Sequence, residues 1–261
     1  MKFEFKINKY YLVGHVMVSK NKPFPAWKTS EEKIWQKYKD EPAYYFLNPK
    51  HISWTLETIQ IDSSNKNIKG VFLKHISTLE KIYQEIFKSK EFKRLYKETE
   101  KYLKFVKRQW QKNKKQALET IQILSGIKLP KKQITVYLTH PKLYNGKAIV
   151  EKNIILWGHK EDWQNYSTIY LCHELMHILT WKKQKNYRLM HAIIELLTDE
   201  ELRIRLNKKG AYFKEKQKLI GHKDLISLKK KILPCWKNYI KGKLGGTIFE
   251  LEKILIKKGL L

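Results

Sequence analysis

The run Tyr170-Leu171-Cys172-His173-Glu174-Leu175-Met176-His177 holds two imidazoles four residues apart, with a carboxylate beside the first. On an α-helix that spacing sets the imidazoles about 40° apart on one face, where both can grip a single Zn2+. With His173 at 0°, Glu174 falls at about 100°, while Leu171, Leu175, Ile178 and Leu179 fall between about 140° and 240°. Such a helix packs its apolar side on a core and presents both histidines and the glutamate to a cleft. Cys172 points toward the apolar side and reads as a core thiol.

A catalytic zinc usually has three protein ligands and one open position for water. The following segment, His191-Ala192-Ile193-Ile194-Glu195-Leu196-Leu197-Thr198-Asp199, offers further donors. With Leu189 and Met190 it is apolar almost all round, so a helix here is buried. Glu195 and Asp199 are then two carboxylates one turn apart in apolar surroundings, which is costly unless they meet a cation or a strong donor. A zinc ion would satisfy Glu195. An imidazole N–H would satisfy Asp199, because metal-bound histidines usually donate their second ring nitrogen to a carboxylate. Pairing with Arg188 or Arg203 is the alternative. His191, one turn before Glu195 on the same stripe, lines the site and is the alternative third ligand. His15, His51, His75, His140 and His159 have no partner at ligand spacing.

His173-Glu174-x-x-His177 followed, 18 residues after the second histidine, by Glu195-x-x-x-Asp199 resembles the gluzincin metallopeptidases. These are the thermolysin-like clan, with HExxH on one helix and ExxxD on the next, and the resemblance covers residues 134–206. It implies a zincin-like fold in which His173, His177 and Glu195 bind zinc, Glu174 is the general base and Asp199 orients His173. It also implies that residues 153–157 form the edge strand along which an extended peptide binds, since an unpaired edge adds a substrate backbone by hydrogen bonds that ignore side-chain identity. In that scheme zinc lowers the pKa of its water and polarises the scissile carbonyl, while Glu174 takes the proton and passes it to the leaving amine. Tyr187 and His222 are the two candidates for a further donor to the oxyanion. The chain has no histidine after His222, a departure from the far-downstream histidine of thermolysin-like relatives.

The elements that must position these groups are legible in outline. At 261 residues the chain makes one large domain or two smaller ones, at about 150 residues per domain. Period-two runs at 134–139, 147–150 and 153–157, separated by His140-Pro141 and Asn145-Gly146, predict a small sheet. Helices follow at 162–180 and 186–207, then others broken at Gly210, Gly221, Pro234 and Gly245-Gly246. Upstream, Ser77-x-x-Glu80 has capping-box spacing, and Phe92, Tyr96, Thr99, Leu103, Val106, Trp110, Ala117, Ile121 and Leu124 recur at helical steps up to Gly126. The first fifty residues predict strands at 3–7 and 10–18, a loop at Pro23 and Pro25, and a helix at 30–39. The fold class is α+β, with a mixed N-terminal region at 1–126 carrying long basic amphipathic helices and a catalytic region at 127–261 ending in helices.

Composition bounds the partners. The net charge is +29, from 54 lysines and arginines against 25 acids, yet only five residues are arginine. Arginine is the residue suited to bidentate phosphate and base contacts, so the lysines read first as a solvated coat. The twelve basic residues at 88–115 keep nucleic acid open as a partner. No apolar run approaches 18 residues, which excludes a membrane-spanning helix, and the N-terminus lacks a small-residue cleavage site, so a cytoplasmic chain is expected. Two cysteines, Cys172 and Cys235, make no disulfide framework. The function expected is a zinc-dependent metallopeptidase acting on a peptide or protein. The alternative is a nucleic-acid-associated regulator whose metal site is secondary or inactive.

Overall fold

The apolar run Ile154-Ile155-Leu156-Trp157 sits at the centre of the fold. The protein is seen in a computed structural model that describes residues 1–18, 24–47, 66–215 and 218–260, with backbone alone for 17, 18, 25, 26, 45–47 and 66–73. Pro23 and His51 lie outside the described residues. Four strands, β1 (Lys2–Lys6), β2 (Gln133–Leu138), β3 (Asn145–Ile149) and β4 (Ile154–Gly158), form one sheet in the order β1-β2-β4-β3. β1, β2 and β4 run parallel, and β3 runs antiparallel to β4 with Lys147 opposite Leu156. The edge strand expected at 153–157 is therefore corrected. β4 is buried along its whole length between two neighbours, as a continuous apolar run requires, and the edges are β1 and, beside β4, β3, which exposes Gly146 and Lys147.

Three other expectations are overturned at helix starts. Residues 10–18 are not a strand but helix α1 (Lys9–Val18), because the Asn8 side chain accepts the Tyr10 and Tyr11 N–H groups at 2.9 and 3.0 Å and starts a turn that buries Tyr11, Leu12, Val13 and Val16. Pro25 is not in a loop but opens α2 (Pro25–Tyr38), where its missing N–H costs nothing. Ser77 lies inside α3 (Lys66–Lys88), so the capping box expected there does not form. The cap belongs instead to Ser89, which accepts the Phe92 N–H at 3.1 Å and starts α4 (Lys90–Ser125). That helix is about 54 Å long and ends where Gly126 takes the left-handed conformation, φ 67°.

α4 joins two cores. Phe92 and Leu95 pack with Leu12, Val13, Trp27, Ile34, Leu79 and Tyr83. Further along, Tyr102, Val106, Trp110, Ala117 and Ile121 pack with the sheet and with every helix after it. A division at residue 126 thus cuts through the larger core, which also takes in Phe3 and Phe5 of β1.

After the sheet come α5 (Tyr166–Thr180) and α6 (Tyr187–Glu195), a π-helical turn (Leu196–Leu202) and the short α7 (Arg203–Asn207). A two-residue hairpin, β5 (Lys214–Glu215) and β6 (Lys218–Leu219), leads to α8 (Ile226–Ile240) and α9 (Ile248–Lys257). α8 continues through Pro234, where a break was expected. Leu228, Ile232 and Trp236 of α8 and Ile248, Leu251 and Leu255 of α9 close the larger core. No helix among the described residues is long and apolar enough to cross a membrane.

Candidate metal centre

The helix that carries the paired histidines is fixed at its start by side chains from α4. The first N–H groups of a helix have no partner within it. Here Gln109 Oε1 accepts the Thr168 N–H at 2.8 Å and Glu161 Oε1 accepts the Ser167 N–H at 3.1 Å, while Gln109 Nε2 donates to Glu161 Oε2 at 2.6 Å. Asn113 Nδ2 donates to Asn165 Oδ1 at 2.9 Å, and Asn165 Nδ2 to Asn207 Oδ1 at 2.8 Å, so one chain of amides ties α4, α5 and α7 together. The turn between α5 and α6 is held from the C-terminal side. Glu252 Oε1 of α9 accepts the N–H groups of Lys185 and Asn186 at 2.9 and 2.8 Å, and Asn186 Oδ1 in turn caps α6 on Leu189.

His173 and His177 bring their Nε2 atoms to 3.1 Å from one another. Nitrogens bound to one tetrahedral zinc at about 2.05 Å lie about 3.3 Å apart, so the pair stands at ligand separation. The far nitrogen of His173, Nδ1, is 2.9 Å from Asp199 Oδ1, which also accepts the Thr198 hydroxyl at 2.8 Å. Asp199 is fully buried and lies in the π turn, where i to i+5 bonding re-aims side chains relative to the helix before it. The Asp199 carboxylate thus lies on the His173 ring, and Arg203 does not reach it. Arg203 Nε bonds only the Asp199 backbone oxygen, at 2.7 Å, and its other nitrogens go to Glu200, Glu215 and the Ala211 carbonyl.

His191 joins the pair. Its ring centroid is 5.2 Å from that of His173 and 4.6 Å from that of His177, and the three residues each bring one ring nitrogen within 4.8 Å of the others. Glu195, the expected third ligand, lies beside this cluster, its Oε1 3.8 Å from His191 Nε2, and both of its oxygens are engaged elsewhere. Its Oε1 accepts the His222 backbone N–H at 2.9 Å and pairs with His222 Nδ1 at 2.6 Å, and its Oε2 pairs with Lys229 Nζ at 2.7 Å. Gly221 makes this approach possible, since any Cβ there would run into the Glu195 carboxylate, and its φ of 78° suits only glycine. Both candidate donors stand at the rim. Tyr187 is 62% exposed and stacks on His177 at 6.1 Å, and the His222 ring lies 4.7 Å from that of His191.

Glu174 points toward the edge strand. Burial pushes its carboxyl pKa up, opposed by the His173 charge and the Ala148 backbone N–H of β3. A Cβ at Gly146 would meet the Trp157 ring and stand 3.4 Å from Glu174 Oε1, so this bare backbone lets β3 lie close over the carboxylate. Burial lowers His173, yet the Asp199 carboxylate outweighs it and holds the imidazole up at about 9. Burial together with the His173 charge brings His177 down to about 2 and His191 down to about 3. Burial raises Glu195, but the bond from His222 and the charge of Lys229 outweigh it, and its pKa falls below the usual carboxylate range.

Lys229 is the functional neighbour that sequence reasoning missed. It is fully buried and pairs with Glu195 and with Glu200 Oε1 at 3.3 Å. The signal was present: Lys229, Ile232 and Trp236 share one helical stripe, so a lysine there enters the core and needs an acid. Two further histidines have partners of their own outside the cluster. His140 pairs with Glu98, and His159 stacks on Tyr166.

Three imidazole nitrogens at this spacing suit zinc, which favours nitrogen donors in tetrahedral array. Among the described residues His191 Nε2, Glu195 Oε2 and Asp199 Oδ2 are buried without a hydrogen-bond partner, as groups built around a cation would be. Comparison of the chain with protein-family models, with curated proteins and with solved structures returned no match.

Proposed function

We propose that this chain is a zinc-dependent peptide hydrolase with a zincin-like arrangement, its metal held by His173, His177 and a third donor from α6. One observation carries the reading: two Nε2 atoms of an HExxH helix 3.1 Å apart, with Asp199 on the far nitrogen of the first ring. A pair of ordinary core histidines has no need of a buried carboxylate behind one ring and a buried glutamate beside it.

When bound, zinc supplies Lewis acidity for a water molecule and for the scissile carbonyl. The chain's own groups do the rest. Glu174, a buried carboxylate beside His173 whose pKa burial raises, takes a proton from the attacking water and delivers it to the leaving amine. Asp199 fixes the tautomer of His173. An extended substrate would pair with the antiparallel edge β3, which lies close to Glu174, and Tyr187 and His222, whose rings lie against His177 and His191, are the candidates for the second donor that a developing oxyanion needs. The substrate is accordingly a peptide in extended form, gripped by its backbone.

Glu174→Gln tests the reading. It should keep one zinc per chain while peptide hydrolysis falls at least about a hundredfold. Loss of zinc together with activity would make Glu174 a ligand, and unchanged hydrolysis would remove it from the chemistry.

A further inference from the structure

The third donor can be named. We propose that it is His191, giving a three-histidine centre, and that Glu195 is a positioning residue clamped by Lys229; this rests on the zinc reading above. The ring planes of His173, His177 and His191 cross at 62°, 75° and 78°, so the rings stand as a tripod and not as a stack. Their nitrogens are mutually within 4.8 Å, whereas Glu195 groups with His191 and His222 and not with the HExxH pair. His191 stands between them.

The polar contacts point the same way. Glu195 Oε1 already takes the His222 N–H and Nδ1, and Oε2, which no hydrogen bond meets among the described residues, is held by the charge of Lys229 Nζ at 2.7 Å. To reach the HExxH nitrogens Glu195 would have to leave Lys229, a fully buried cation, with the Glu200 carboxylate at 3.3 Å and the neutral Ile220 carbonyl at 3.1 Å among the described residues. Removing one partner of a buried ion pair is strongly unfavourable. His191 faces no such cost. Its Nε2 is buried, has no hydrogen-bond partner and lies 3.8 Å from Glu195 Oε1. In this arrangement Glu195 orders the outer shell, holding the Gly221-His222 backbone against the site and giving Lys229 a counter-charge that ties α8 to α6. The centre departs at this position from the Glu-ligand pattern of the gluzincins.

Two measurements on the full-length chain test the proposal. X-ray absorption of the zinc-loaded parent should show three imidazoles and no carboxylate oxygen from the protein; two imidazoles and one carboxylate would overturn it without variants that need to fold. Chelator competition should then show His191→Ala losing zinc affinity at least about a hundredfold, while Glu195→Gln keeps one zinc per chain within about tenfold of the parent. The reverse order would return the ligand role to Glu195 and leave the peptidase reading standing. A parent chain that takes up no zinc would sink both.

Discussion

Asp199 carries the sharpest consequence at the scale of single residues. Its Oδ1 sits 2.9 Å from His173 Nδ1, and neither group is exposed. Asp199→Asn keeps the shape but replaces a charged acceptor with an amide that can present its NH2 to the ring. Zinc affinity should fall about 10- to 100-fold, read by chelator competition. Unchanged affinity would mean that Asp199 does not orient the ligand. This much was legible from residue types and spacing: HExxH on a helix and a carboxylate in an apolar stripe. The third ligand was not, because the sequence places His191 and Glu195 on one stripe a turn apart and cannot say which of them a distant lysine occupies. In the fold the lysine is Lys229, 34 positions downstream of Glu195, and it pairs with Glu195.

Helix α4 does at the element scale what the sequence assigned to no residue. Read alone it is a basic amphipathic helix with an aromatic face. In the fold, Gln109 and Asn113 on its half-buried side cap and tether the start of α5, so the N-terminal half of the chain builds the site's foundation. Gln109→Ala should cost about 1 kcal/mol of stability, the usual loss for a helix cap, and should weaken zinc binding with no change at the ligands. Thermal unfolding with and without zinc measures both. An unaltered midpoint would show that the cap is idle. The sheet teaches a related lesson. The expected strand positions were close, but which strand forms the edge depends on β1 arriving from residues 2–6 to flank β2 and on β3 folding back beside β4. The β1–β2 pairing, across about 130 residues, leaves no local trace in the sequence, whereas β3 and β4 form a local hairpin. The misread run at 10–18 was different, since the Asn8 cap that makes it a helix was in plain view.

At the scale of the whole molecule the charge of +29 is the dominant fact. The lysines of α4 between 93 and 115 are exposed while the opposite face is packed into both cores, which is the pattern of a solvated coat on a structural helix. Hydrolysis of a neutral peptide should therefore change less than about tenfold between 50 and 200 mM salt. Binding through six or more phosphate contacts would instead weaken about a thousandfold or more over that range. A steep salt dependence of tight nucleic-acid binding, with hydrolysis absent, would favour the regulatory alternative. All of these expectations depend on the metal, and elemental analysis of the purified full-length chain tests that directly. The account predicts about one zinc per chain, removable by a chelator and restored by added zinc, with re-addition at a hundredfold excess over the dissociation constant stabilising the fold by about 2.7 kcal/mol. A folded chain that holds no zinc, and gains neither metal nor stability when zinc is supplied, would contradict it.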